Sequence, residues 1–242
     1  TYSQGSRVIM VIYKFRFVTW WQCEFKYNWK MLEKHLKSSS ERKFSGVYTD
    51  SDIAVLMNYG RVGGNKYKNR QIMHEPMFLN AMRVLIDHER PLYVMEFGTF
   101  DGGLSEYMSD IAKIIKHDIK IISYDIDFSR NVIQEPIDDV ELVQLDIFDI
   151  KNYLKVNHDM IANLEGPKFI IDDVGINTIE LLEAIDPYLK KGDHFICCHT
   201  LNKDTHDGIL NHIGDSYSIN TYACDMFGEN FIENPNGFLV KN

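Results

Sequence analysis

Three short clusters carry the residue types needed to hold a polar, charged small molecule. The first, Glu96-Phe97-Gly98-Thr99-Phe100-Asp101-Gly102-Gly103, sets two carboxylates among glycines. Gly98 can take backbone angles barred to other residues, and Gly102 and Gly103 permit a ligand to approach the main chain before a helix begins. Taken alone, the same pattern also fits a plain strand-to-helix turn. The second cluster, Ser123-Tyr124-Asp125-Ile126-Asp127, puts carboxylates where a ribose would project, and an acidic side chain there can accept hydrogen bonds from both sugar hydroxyls. Asp125 falls nearer the expected strand end than Asp127, which better suits a helix cap or a solvated turn. In the third, Gln144-Leu145-Asp146-Ile147-Phe148, Asp146 can accept from an adenine amino group while Ile147 or Phe148 covers the ring face.

Two further clusters offer proton-transfer chemistry: Asp172-Asp173-Val174-Gly175 and Cys197-Cys198-His199-Thr200. An imidazole titrates near neutrality, so His199 can remove a hydroxyl proton with Asp172 or Asp173 orienting it; the competing role is a satisfied polar residue at a strand end. Cys197 and Cys198 read as packing residues. His74, a lone histidine before Glu75-Pro76, reads as a turn residue with substrate contact as the alternative, and His206 and His212 read as surface residues.

Ligands of open α/β sheets bind beyond the carboxyl ends of the strands, so these clusters should terminate strands. Continuous apolar runs do precede them, at 92–97, 120–126, 140–145, 169–171 and 194–198. Amphipathic helices are expected between the runs, from Pro76 through Met77, Phe78, Ala81, Met82, Leu85 and Ile86, then at 104–116 and 178–189. This alternation marks a parallel sheet covered on both faces. Strand-like pieces at 217–222 and 238–240 can close the sheet as a hairpin. Residues 61–75, polar and containing Gly63-Gly64, read as a long loop of the lid type, and with 199–214 they should shape an acceptor pocket. A short helix is expected from Asp50 or Ser51 to Gly60. Before it, residues 1–50 read as an accessory segment, with a helical face of Trp29, Leu32 and Leu36 and a polar break at Ser38-Ser39-Ser40-Glu41-Arg42-Lys43. The main domain then spans 51–242.

Together these residues carry a family resemblance. The order Glu-Phe-Gly-Thr at 96–99, Tyr-Asp-Ile-Asp at 124–127 and Leu-Asp-Ile-Phe at 145–148 resembles class I S-adenosylmethionine-dependent methyltransferases. More narrowly, the chain resembles the branch of cephalosporin-hydroxylase-like proteins and rhamnosyl or macrolide-sugar O-methyltransferases. Further matches are Arg90-Pro91, Gly102-Gly103-Leu104-Ser105, Ile170-Ile171-Asp172-Asp173 and the tail Asn234-Pro235-Asn236-Gly237-Phe238-Leu239, so the similarity runs from about residue 75 onward. The resemblance implies a Rossmann-like α/β fold: a mostly parallel seven-stranded sheet, helices on both faces, and a C-terminal antiparallel hairpin. It also implies S-adenosyl-L-methionine, its methionine end against the Gly98 loop and its ribose on Asp125. The expected cofactor site is then Glu96, Gly98, Thr99, Phe100, Asp101, Gly102, Gly103, Asp125, Asp146, Ile147 and Asp172. His199, Asp172 and Asp173 form the expected catalytic group.

The chain departs from the branch at its catalytic edge. There the fourth strand end carries Asp-x-x-His and the fifth Glu-Asp, holding magnesium and supplying a base. Here Gly175 replaces that histidine and Cys198-His199 replaces the acidic pair. Magnesium prefers oxygen ligands, whereas a Cys/His/Asp set favours zinc or another softer ion, and since four ligands are not apparent no bound metal is expected. Methyl transfer to a small-molecule hydroxyl remains the expected activity, with nitrogen the next acceptor atom. A catalytically silent cofactor-binding or scaffold protein is the alternative. An NAD-dependent oxidoreductase is disfavoured by the missing G-x-G-x-x-G.

Composition fits this reading. With 242 residues, 45% of them apolar, the chain can bury one substantial core, and its net charge of -9 argues against nucleic acid or anionic lipid as a partner. Cys23, Cys197, Cys198 and Cys224 show no C-x-x-C pair or disulfide framework, which suits a reducing, cytoplasmic setting. The apolar stretch 8–21 is broken by Lys14 and Arg16 and falls short of the about 20 residues of a membrane span, although the opening Thr1 leaves a trimmed upstream anchor conceivable. A homo-oligomer is compatible with all of this.

Overall fold

The computed structural model describes residues 35–42, 65–128, 136–227, 232 and 234–242. The apolar stretch at 8–21, Trp29, Leu32 and the helix expected at 50–60 lie outside the described residues. Within them the chain runs β1 (Leu36–Lys37), β2 (Asn65–Tyr67), β3 (Arg70–Ile72), α1 (Pro76–Glu89), β4 (Tyr93–Phe97), α2 (Gly103–Ile114), β5 (Lys120–Asp125) and β6 (Val140–Gln144). It continues with α3 (Ile150–Val156), α4 (His158–Ala162), β7 (Lys168–Asp172), α5 (Thr178–Ile185), β8 (His194–Cys197), α6 (Lys203–Ile213), β9 (Tyr217–Asn220), α7 (Thr221–Cys224) and β10 (Phe238–Lys241).

The apolar runs pair as expected. β6, β5, β4, β7 and β8 lie side by side in parallel, in the sheet order β1-β9-β10-β8-β7-β4-β5-β6. All residues of β7 and β8 are buried, as are Val94 to Phe97 of β4, because helices cover these strands on both faces. α1 packs on α2, while α3 and α6 pack on α5, forming two helical groups. The edge strand β6 instead exposes Glu141 and Gln144, polar side chains that protect an open edge. β10 runs antiparallel to both β8 and β9, so the C-terminal pair closes the sheet and places one antiparallel strand inside an otherwise Rossmann-like order.

Three expectations need correction. The sheet has eight strands because Leu36, expected on a helix, pairs with Asn220 as β1 along the open edge of β9. Arg42 fixes this segment: its guanidinium donates to both Asp225 oxygens at 2.9 and 2.7 Å and to Asn236 Oδ1 at 2.8 Å. Second, residues 65–72 form the hairpin β2–β3 rather than a structureless lid. Its side chains strap it to α2: Tyr67 Oη donates to Asp110 at 2.7 Å, Arg70 Nε to Glu106 at 2.9 Å, and Lys68 pairs with both acids. Third, α5 stops at Ile185 and passes into a turn at Asp186-Pro187, since proline has no N–H with which to continue the helix.

Candidate active site

The ends of β4, β5 and β6 are tied to one another through backbone groups. Gly98 and Thr99 donate their N–H groups to the Tyr124 carbonyl at 2.8 and 3.2 Å, and Leu145 N–H donates to the Asp125 carbonyl at 2.8 Å. The Asp125 carboxylate sits at the centre, accepting Phe100 N–H on Oδ2 at 2.8 Å and Asp127 N–H on Oδ1 at 3.2 Å. Each carboxylate oxygen has a further lone pair, so Asp125 keeps acceptor capacity for two hydroxyls. The loop after β4 is strained, with Gly98 at φ 102 and Phe100, a residue with a side chain, at φ 49. Asp146 is exposed and caps the next turn through Phe148 N–H at 3.0 Å. Of the two residues expected to cover a base, Ile147 is buried in the core while Phe148 stands 69% exposed.

Glu96 lies fully buried beneath this loop. Its Oε2 accepts the hydroxyls of Ser105 and, at 2.6 Å, Ser123, while Oε1 has no partner among the described residues. Burial raises its pKa to about 7, against the pull of the two serines, while the charge of Asp173 adds to the rise and that of His74 opposes it. In the unfolded chain this carboxyl ionises near 4.5. The raised folded value therefore adds stability that is fully present below 4.5 and lost as pH climbs towards 7. Denaturant unfolding of wild type and Glu96→Gln across this range should show their stability difference moving by about 3 kcal/mol to the disadvantage of wild type. A constant difference would contradict the buried, protonated state of Glu96.

The end of the first loop also holds the chain's own hairpin. Asp101 Oδ2 accepts the N–H of Gln71 at 2.6 Å, anchoring β3. A Cβ on Gly103 would lie 2.2 Å from the Gln71 carbonyl oxygen, so the close approach permitted by this glycine is made by the chain's own hairpin. Gly102, at φ 76, caps α2.

At the ends of β7 and β8 the structure assembles a second group. Asp172 is buried, accepts Val174 N–H at 3.3 Å, faces the Cys197 thiol at 3.8 Å, and has its pKa raised by burial. Asp173 is the carboxylate that meets the histidines: His74 Nε2 lies 3.1 Å from Oδ2 and His199 Nε2 lies 3.4 Å from Oδ1. Burial opposes ionisation of Asp173, but the charge and hydrogen bonding of the two imidazoles outweigh it and hold the carboxyl at about 2. The same contest raises His199: burial disfavours its charged form and Asp173 favours it more strongly. A Cβ on Gly175, at φ 75, would sit 3.2 Å from His199 Cε1 and Nε2, so the His199 ring fills the room beside that glycine.

His74, expected in a turn, is 97% buried, stacks on Phe78 at 4.2 Å and joins this group. Its only signal in the sequence is its position before Glu75-Pro76. His206, expected at the surface, is also buried and meets Asn236 Nδ2 at 3.0 Å, while His212 is exposed as expected. The magnesium ion implied by the resemblance does not fit: Asp173 is the one oxygen ligand in the cluster, beside imidazole and thiol, while Asp172 turns towards Cys197.

Strand order, the inserted antiparallel strand and the acid- and glycine-bearing strand ends define a Rossmann-like class I methyltransferase fold. Among solved structures the chain is similar to CmcI in its apo form, with a TM-score of 0.60 and 22% identity over 84% of this chain and 82% of that one. It is similar also to CmcI with magnesium and S-adenosylmethionine, at TM-score 0.58, 22% identity and the same coverages of 84% and 82%. A third neighbour is CmcI with S-adenosylhomocysteine, at TM-score 0.57 and 19% identity over 84% and 89%. At these identities the likeness is one of fold. No protein-family model matches the sequence, and no curated protein does.

Proposed function

We propose that this protein transfers a methyl group from S-adenosylmethionine to a hydroxyl of a small molecule. The observation that carries the reading is the junction of three strand ends on Asp125, where Phe100 N–H reaches its carboxylate and Leu145 N–H its carbonyl. That junction brings a glycine loop, a ribose-type acid and the Asp146 turn to one edge of the sheet, where ligands of this architecture bind. Phe100, Ile126, Phe148 and Ile176, one after each of four successive parallel strands, are exposed apolar side chains of the kind that cover a base or an acceptor. CmcI has been solved with this cofactor and with its demethylated product, which supports the same ligand for the same fold here.

The bound cofactor would supply an electrophilic sulfonium methyl. The chain's part is to hold an acceptor oxygen in line with that methyl and to take its proton. His199 is suited to the second task. It is partly exposed, stands where a side chain at Gly175 would project, and is oriented by Asp173. The net charge of -9 favours a small-molecule acceptor over nucleic acid. No helix among the described residues is long and apolar enough to cross a membrane. Cys197 and Cys224 are free thiols, which supports a reducing, cytoplasmic setting.

Calorimetric titration with S-adenosylmethionine, S-adenosylhomocysteine and NAD tests the proposal. Binding of the first two and not the third is expected, and NAD binding or no binding at all would overturn it. Asp125→Ala should weaken S-adenosylmethionine by about 1–3 kcal/mol through lost charge-assisted hydrogen bonds. Undiminished affinity would remove Asp125 from the ribose site.

A further inference from the structure

A ring nitrogen of His74, an Asp173 carboxylate oxygen and Cys198 Sγ all lie within 4.8 Å of one another. They come from three separate segments, the chain before α1 and the ends of β7 and β8, so only the folded protein brings them together. We propose that they form a binding site for one divalent cation of the zinc class, held by imidazole, carboxylate and thiolate. Zinc uptake here does not depend on whether the neighbouring cleft takes S-adenosylmethionine.

The donor set selects the ion. A nitrogen, a sulfur and an oxygen suit zinc, whereas magnesium requires near-octahedral oxygen ligands and calcium requires six to eight. Three protein ligands are the number that zinc keeps where a fourth position stays open to water or substrate. In tetrahedral zinc sites the ligand atoms stand roughly 3–4 Å apart, so the His74–Asp173 edge at 3.1 Å already fits. The separations to Cys198, at most 4.8 Å, would shorten by roughly an ångström as its side chain rotates.

The surrounding structure limits that rearrangement. The His74 ring is stacked on Phe78, and His74 and Cys198 are 97% and 92% buried. Asp173 N–H is bonded to the Phe97 carbonyl at 2.8 Å and Cys198 N–H to the Asp172 carbonyl at 2.9 Å, which fixes both ligand backbones. Gly98 has no side chain, and a Cβ there would meet the Asp173 backbone at 2.7 Å, so the first loop lies directly against the site. His199, 3.4 Å from the second Asp173 oxygen, stands as an outer partner of the ligating carboxylate. Binding would release the Cys198 thiol proton, and any proton held by His74, to solvent.

The test uses the whole purified protein, stripped with chelator and then titrated with zinc in competition with a chromophoric chelator, and separately with cobalt(II) followed by absorption. Wild type should take up one equivalent, and cobalt should show the near-ultraviolet thiolate charge-transfer band with the strong visible bands of a four-coordinate ion. Cys198→Ser should lose the charge-transfer band. His74→Gln should lose most of the zinc affinity, and His199→Gln should weaken it roughly 10–100-fold, the effect of an outer-shell partner. Thermal melts of the stripped variants establish that each is folded, and Cys224→Ser, outside the cluster, controls for thiol loss and should bind as wild type does. Absence of zinc uptake by wild type at micromolar concentrations overturns the site. So does an unchanged cobalt spectrum in Cys198→Ser, which would mean an adventitious ion only, and so does displacement of zinc by equimolar magnesium.

Discussion

His199→Ala should lower the rate of methyl transfer roughly 10²–10⁴-fold, the usual contribution of a positioned general base, while S-adenosylmethionine binds within about twofold of wild type. The separation follows from the geometry. His199 meets Asp173 and the space at Gly175, whereas the proposed ribose and base contacts lie around Asp125 at the end of β5 and Asp146 just after β6. The acceptor is unidentified, so the rate is followed as S-adenosylhomocysteine formed in the presence of a metabolite extract, with affinity measured by calorimetry. Both proteins are stripped with chelator first, because His199 also adjoins the His74–Asp173–Cys198 cluster. Wild-type turnover in the variant would defeat the assignment of His199 as base. An equal fall in rate and cofactor affinity would instead give His199 a binding role.

Gly98→Ala should be among the most damaging single-methyl changes in the site. Gly98 holds φ 102, outside the range of side-chain-bearing residues, and the added Cβ would lie 2.7 Å from both the carbonyl carbon and the oxygen of Asp173. These are backbone atoms, tied through Asp173 N–H to the Phe97 carbonyl at 2.8 Å, so no flexible side chain can swing aside. Strain and overpacking together should cost roughly 2–5 kcal/mol of folding stability. The surviving folded protein should show no measurable S-adenosylmethionine binding, since the Gly98 and Thr99 N–H groups would be pulled from the Tyr124 carbonyl. Denaturant unfolding and calorimetry read the two effects separately. Wild-type stability in this variant would mean that the β4 loop and the β7 end are not in contact.

The parallel sheet and the acid-bearing ends of its strands are legible in the sequence because they rest on local pattern. Each strand of the central five is an apolar run, and the acids Glu96, Asp125, Asp146 and Asp172 mark the run ends by simple position. What is hidden depends on distance along the chain or on polar contacts. His74 and Asp173 are 99 residues apart and carry no shared pattern, so a lone histidine before a proline gives no sign of its partner. The hairpin at 65–72 is polar because its attachment to α2 is ionic, through Lys68 and Arg70 to Glu106 and Asp110, and polar stretches read as loops. Asp101 and Gly103 have a use that the sequence does not show: an acid and a glycine that suit a ligand equally suit a neighbouring backbone, and Gln71 lies against both. The choice between Asp172 and Asp173 likewise needed coordinates, since adjacent residues at a strand end face opposite ways.

The short strand at Leu36–Lys37 has a consequence for how copies of this protein behave towards one another. A sheet that ended at β9 would present a row of unsatisfied amides and carbonyls, a template onto which a foreign strand could add. Leu36 and Lys37 occupy part of that row, and the segment is clasped beside it by Arg42, whose side chain is 9% exposed and whose partners Asp225 and Asn236 both precede the last strand. This two-residue strand thereby acts as a selvage on the fabric of the sheet, leaving an edge too short to favour self-polymerisation.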